Sequence, residues 1–128
     1  MIKNRILMSL SIFSFNNFFG CAQEDKDRTI TIQDLRKVLK DDSTLVILDV
    51  RTPAELVGPL GKIKNAIEIP IQELENRFGE LNKYKGKEIA VICRSGNRSN
   101  SGTLILRQNG YNAKNVLGGM TEYRKAVN

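Results

Sequence analysis

Seven consecutive residues, Cys93-Arg94-Ser95-Gly96-Asn97-Arg98-Ser99, carry most of the chemistry this chain can do. The cysteine follows Glu88 to Ile92, an apolar run that reads as a buried strand, and a helix is expected to begin near Ser99. Small residues and Gly96 let such a loop curl so that its N–H groups point inward as an anion nest, and the helix adds the positive end of its dipole. Arg94 and Arg98 add fixed positive charge. All three effects favour thiolate over thiol, so Cys93 is expected to have a lowered pKa and to act as a nucleophile. Arg94, Ser95, Gly96, Asn97, Arg98 and Ser99 are then the cradle for an anionic substrate. A free cysteine at a strand end can also be a small buried hydrophobe, but two arginines, a glycine and a helix start in register argue for reactivity.

Asp49 and Arg51 end a second apolar run and are supporting candidates, Asp49 to orient groups and Arg51 to steer anions. A structural network is favoured for them, with Arg51 paired to Glu55 and Asp49 accepting backbone N–H groups in the turn. The chain of 128 residues has no histidine and two cysteines. That excludes Ser-His-Asp and Cys-His catalysis, imidazole-dependent zinc sites and a Cys₄ site, so neither metal nor cofactor is expected.

The elements that must hold these residues alternate. Thr31 and Asp34 form a capping-box-like start for a helix over Ile32 to Lys40. Leu45 to Val50 is a continuous apolar strand of the kind covered on both faces. Ala66 to Pro70 is a shorter strand stopped by proline, and Ile71, Leu74, Phe78 and Leu81 mark a second amphipathic helix. A helix over Ser99 to Asn109 ends at Gly110, Asn115 to Leu117 forms a last short strand, and Met120, Tyr123 and Val127 make a terminal helical face. Alternation of this kind implies βαβ units, an α/β fold with a parallel sheet and helices on both faces, and a ligand crevice beyond the carboxyl ends of the strands.

Residues 1–20 read as a signal peptide rather than as fold. Lys3 and Arg5 form a basic n-region, and Ile6 to Phe19 is an apolar stretch too short and too polar to span a bilayer. Phe18-Phe19-Gly20-Cys21 resembles a bacterial lipoprotein cleavage box, with Phe18 and Phe19 departing from it. Cys21 is therefore the expected lipidation site, with an ordinary secretory signal as the competing reading. Either way the mature chain is extracytoplasmic in a bacterium, as a membrane-anchored lipoprotein or a soluble periplasmic protein. Residues 21–28 are polar and charged and read as a tether; residues 29–128 are the domain.

Four segments taken in order resemble one known family, the single-domain rhodaneses. Cys93 to Arg98 is similar to that family's six-residue active-site loop. Asp49-Val50-Arg51 with Pro53 and Glu55 is similar to its DVR segment, Gly61 to Pro70 to the stretch usually written GHIPGAINIP, and Gly118-Gly119-Met120 with Tyr123 to its GG motif and following aromatic. The resemblance implies a three-layer fold with a parallel sheet of about five strands. It also implies a sulfurtransferase in which Cys93 takes a sulfane sulfur from a donor such as thiosulfate, stores it as a persulfide, and passes it to a thiophilic acceptor. A non-catalytic or redox-sensing binding module on the same scaffold is the alternative. Family phosphatases carry a loop one residue longer; four residues between Cys93 and Arg98 suit sulfur better. Lys62, Asn65, Glu68 and Tyr123 depart from the usual His, Gly, Asn and Trp.

The net charge is +6, and residues 83–128 hold nine basic and two acidic side chains. That half contains the cysteine loop and is expected to draw anionic donors toward it. The expected partners are a small anionic sulfur donor and a thiol or protein sulfur acceptor. Nucleic acid is not expected, because no arginine-rich helix or aromatic-basic platform is present. Membrane contact is expected only through the lipid anchor, and the domain is expected to be a monomer.

Overall fold

The computed structural model describes residues 27–41 and 44–126. The signal peptide, Cys21, most of the tether and Val127 lie outside the described residues. Five strands, β1 (Thr29–Ile30), β2 (Val46–Asp49), β3 (Ile67–Glu68), β4 (Glu88–Ile92) and β5 (Asn112–Val116), form one sheet in the order β1-β5-β4-β2-β3, and every pairing is parallel. Helices α1 (Ile32–Asp41), α2 (Pro53–Leu56), α3 (Ile71–Arg77), α4 (Asn97–Gln108) and α5 (Gly119–Lys125) connect them, and a 3₁₀ segment over Phe78–Tyr84 continues α3. The expected α/β, three-layer arrangement with about five parallel strands is the one observed.

The apolar runs are continuous because the strands are covered on both sides. In β4, Ile89 and Val91 pack with Leu74, Leu81 and Leu106 under α3 and α4, while Ala90 and Ile92 pack with Leu35, Val116 and Met120 under α1 and α5. Period-two alternation therefore divides one apolar run between two cores. Thr31 Oγ1 accepts from the Asp34 N–H at 3.1 Å, the expected cap of α1. Gly110 sits at φ +89°, as the C-terminal stop of α4 requires.

Several boundaries differ from the sequence reading, and for identifiable reasons. Helix α4 begins at Asn97, two residues early, because left-handed Gly96 (φ +113°) caps it. Arg98 and Ser99 thus belong to its first turn rather than to the loop. Helix α2 is a single turn that no apolar periodicity marks; Thr52 and Glu55 close a capping box around Pro53. β1 is only two residues long, and its pairing continues back to the Arg28 carbonyl, which accepts from the Asn115 N–H at 2.7 Å. β5 is longer than expected because Asn112, Ala113 and Lys114 pair with Glu88, Ile89 and Ala90 of β4.

Candidate active site

Cys93 follows β4 at the carboxyl end of the sheet, with only 1% of the residue exposed. Its Sγ accepts from the Gly96 N–H at 3.1 Å and lies 3.2 Å from Ser99 Oγ. Burial pushes the thiol pKa up, but the Ser99 hydroxyl and the N–H groups of Ser99, Gly96 and Ser95 outweigh it, so the net shift is downward. The expected lowering is therefore present, and hydroxyl and backbone donors lead it more than the arginines do.

The loop is fastened from the far side of the sheet. The first turn of α5 donates to it, from the Met120 N–H to the Cys93 carbonyl at 2.8 Å and from the Thr121 N–H to the Arg94 carbonyl at 3.0 Å. Gly119 makes this approach possible: a Cβ there would lie 2.5 Å from the Cys93 carbonyl oxygen. Behind the sulfur, Ser99 Oγ donates to Asn115 Oδ1 at 2.5 Å, and Asn115 Nδ2 donates to the Gly96 carbonyl at 3.2 Å. One β5 side chain thus touches both the middle of the loop and the first turn of α4.

The charges are mostly internal to the site. Arg98 donates to both carboxylate oxygens of Glu55, at 2.6 and 2.7 Å. The Arg98 guanidinium, against the opposing effect of burial and with help from Thr52, holds the Glu55 carboxyl at about 2. Arg51 is not paired with the Glu55 carboxylate, as the sequence suggested. It is buried against Asp49 with Nη2–Oδ2 at 2.7 Å, and it reaches the Gly61 carbonyl at 2.7 Å and the Glu55 carbonyl at 3.4 Å. The DVR arginine is therefore a buried tie between β2 and the loop after α2. Asp49 does accept the expected backbone bond, from the Arg51 N–H at 3.1 Å.

Arg94 is exposed, and its guanidinium has no ion-pair partner among the described residues. It lines a groove of about 600 Å³ with Ala54, Glu55, Pro59, Leu60 and Thr121. Ser95 and Asn97 are exposed, and Asn97 opens α4. The basic half of the sequence does not converge here. Lys83, Lys85 and Lys87 precede β4 whereas Cys93 follows it, so the strand's five residues, roughly 17 Å, separate them.

A model of the rhodanese-like domain matches residues 31–126. The chain belongs to the rhodanese-like domain family. A sulfurtransferase of Allochromatium vinosum is 31% identical over 97 residues, covering 75% of this chain and 87% of that one. Among solved structures, a rhodanese-related protein of Thermoplasma volcanium is 38% identical with a TM-score of 0.69, covering 77% of this chain and 92% of the other. A rhodanese-like domain protein of Staphylococcus aureus is 33% identical with a TM-score of 0.66, covering 75% and 90%.

The departures from the usual rhodanese residues have local explanations. Lys62 and Glu68 form an ion pair with each other at 3.1 Å, so two unusual residues offset one another. Asn65 adopts φ +67°, the left-handed conformation that Gly would otherwise supply. Tyr123 stacks with Arg36 at 4.6 Å and Arg124 at 5.6 Å from its ring centroid. Two site residues escaped the sequence reading. Glu55 is expected from sequence to pair with Arg51 rather than Arg98, and Asn115 is read only as a residue of a short strand; nothing local signals that either one touches the loop.

Proposed function

We propose that this rhodanese-like domain is a sulfurtransferase acting through a Cys93 persulfide, with a small anionic donor of the thiosulfate type. The observation that carries this reading is the polar cradle of Cys93 Sγ, in which the Gly96 N–H donates to the sulfur at 3.1 Å and the Ser99 hydroxyl lies 3.2 Å away, able to turn toward a thiolate. They favour a thiolate in a partly desolvated loop, where sulfur is most nucleophilic. The thiolate attacks the outer sulfur of thiosulfate, a Cys93 S–S bond forms, and the donor's S–S bond breaks with its electron pair leaving on sulfite. A thiophilic acceptor then attacks the outer persulfide sulfur and regenerates the thiolate. Arg94, which has no ion-pair partner among the described residues, meets the donor's charge at the rim. Thiosulfate treatment should add one sulfur to the intact mass, removable by cyanide. No gain in mass would favour a binding or redox-sensing module instead.

Residues 1–28 support a location outside the cytoplasm, with Cys21 carrying a diacylglycerol anchor. Each buried methylene contributes ~0.8 kcal/mol, so two or three acyl chains hold a small domain at a membrane. Wild type should partition into the detergent phase and Cys21→Ala into the aqueous phase. An aqueous wild type with no lipid on its N-terminal peptide would mean secretion as a soluble protein.

A further inference from the structure

The hydroxyl of Ser99 has two claimants. Its Oγ lies 3.2 Å from Cys93 Sγ and 2.5 Å from Asn115 Oδ1, and Ser99 and Asn115 are buried, with 0% and 5% exposed. The Asn115 amide orientation is set by chemistry: the Gly96 carbonyl can only accept, so the group facing it must be Nδ2 and the group facing Ser99 must be Oδ1. Oδ1 also only accepts, so the single hydroxyl proton of Ser99 points at Asn115. Cys93 can then bond to Ser99 only by donating its own thiol proton. In the thiol state the chain runs from Cys93 S–H to Ser99 Oγ and from Ser99 O–H to Asn115 Oδ1, with every donor used.

Ionisation breaks this order. The thiolate has no proton to give and gains from a donor, which Ser99 supplies by turning its hydroxyl toward the sulfur. Asn115 Oδ1 then loses its donor inside the protein, which is unfavourable. We propose that Asn115 is a positioning residue that competes with the Cys93 thiolate for the Ser99 hydroxyl proton, restraining ionisation of the resting thiol and taking the proton back once Sγ is bonded to sulfur. In the persulfide the negative charge lies on the outer sulfur, so Sγ no longer needs the hydroxyl. The toggle thus favours the sulfur-loaded state over the bare thiolate. This extends the proposed persulfide chemistry and rests on Cys93 being its nucleophile.

Other charged groups around Cys93 are tied up or peripheral. Asp49 and Arg51 are paired at the end of β2, and Arg98 on α4 is paired with Glu55 on α2. Arg94 is exposed in the loop, and Glu122 on α5 is ion-paired to Lys125. The Gly96 carbonyl also accepts from the Asn100 N–H at 3.2 Å, so it keeps a partner when Asn115 is replaced.

The test is the pH profile of iodoacetamide alkylation in the full chain, followed on the peptide that carries Cys93. Asn115→Leu should lower the midpoint by about half to one pH unit, the size of one modest hydrogen bond. Ser99→Ala should raise it, and Ser99→Ala with Asn115→Leu should match Ser99→Ala alone. An unchanged or raised midpoint in Asn115→Leu, or a separate shift from Asn115→Leu in the Ser99→Ala background, overturns the proposal. If Asn115→Leu does not fold, the wild type still answers. The side-chain amide resonance of Asn115 should titrate with Cys93 and should cease to do so in Ser99→Ala; a resonance that stays fixed as Cys93 ionises refutes the competition. Alkylation needs no sulfur donor, so absence of sulfur transfer would count against the persulfide reading and leave this measurement intact.

Discussion

Glu55 grips Arg98 with both carboxylate oxygens, at 2.6 and 2.7 Å, across 43 positions of sequence. The pair ties the turn after β2 to the first turn of α4, and so fixes one wall of the cysteine loop. It also neutralises the loop's second arginine and leaves Arg94 as the loop arginine with no ion-pair partner among the described residues.

Removing the Glu55 charge separates these two effects. Glu55→Gln should destabilise the domain by about 1–2 kcal/mol, a discounted value for a pair partly open to solvent. It should also lower KM for thiosulfate, because Arg98 is freed. Urea denaturation and steady-state kinetics measure the two separately, and a raised KM would mean that the pair's geometry matters more than its charge.

The same pair sets an acid limit. The Glu55 carboxyl is depressed from 4.5 to about 2 in the folded state, so its contribution to stability is complete above about pH 4.5 and declines as pH falls toward 2. Wild type should lose stability between those values, and Glu55→Gln should lose less over the same window. Parallel curves for the two proteins would assign the acid loss to other carboxylates.

Arg94→Ala should raise KM for thiosulfate several-fold while leaving the thermal midpoint unchanged, since the side chain is exposed and has no ion-pair partner among the described residues. Equal KM values at low ionic strength would remove Arg94 from the donor site.

Cys93→Ser should abolish transfer of sulfur from thiosulfate to cyanide with the fold intact, because serine is nearly isosteric and its hydroxyl is not ionised at neutral pH. More than trace activity in that variant would rule out the covalent route.

Gly119→Ala tests the fastening of the loop. The new Cβ would sit 2.5 Å from the Cys93 carbonyl oxygen and 2.6 Å from the Arg94 carbonyl carbon, at φ +58°. A loss of about 3 kcal/mol or more is expected, because backbone must move on both sides. Circular dichroism melting together with transfer activity would show it; a stable and fully active variant would mean the contact is easily relaxed.

The sequence alone determined the architecture and the place of the candidate nucleophile Cys93, because both are written in local patterns. Buried apolar strands alternating with amphipathic helices specify a parallel sheet, and a cysteine between such a strand and a helix must sit at its carboxyl end. The capping of α1 and the stop at Gly110 were legible for the same reason: both depend on a few neighbouring residues. Charge partners were not. Arg51 had Glu55 close by in sequence but closes on Asp49, because burial at the end of β2 demands a partner that is buried too. Glu55 is left to meet Arg98, and Asn115 to meet Ser99, through strand pairings that bring distant segments together. Lys83, Lys85 and Lys87 of the basic half lie at the opposite end of the sheet from the cysteine because β4 runs between them. Which groups surround a reactive sulfur is decided by the three-dimensional order of the strands, and periodicity along the chain carries no record of that order.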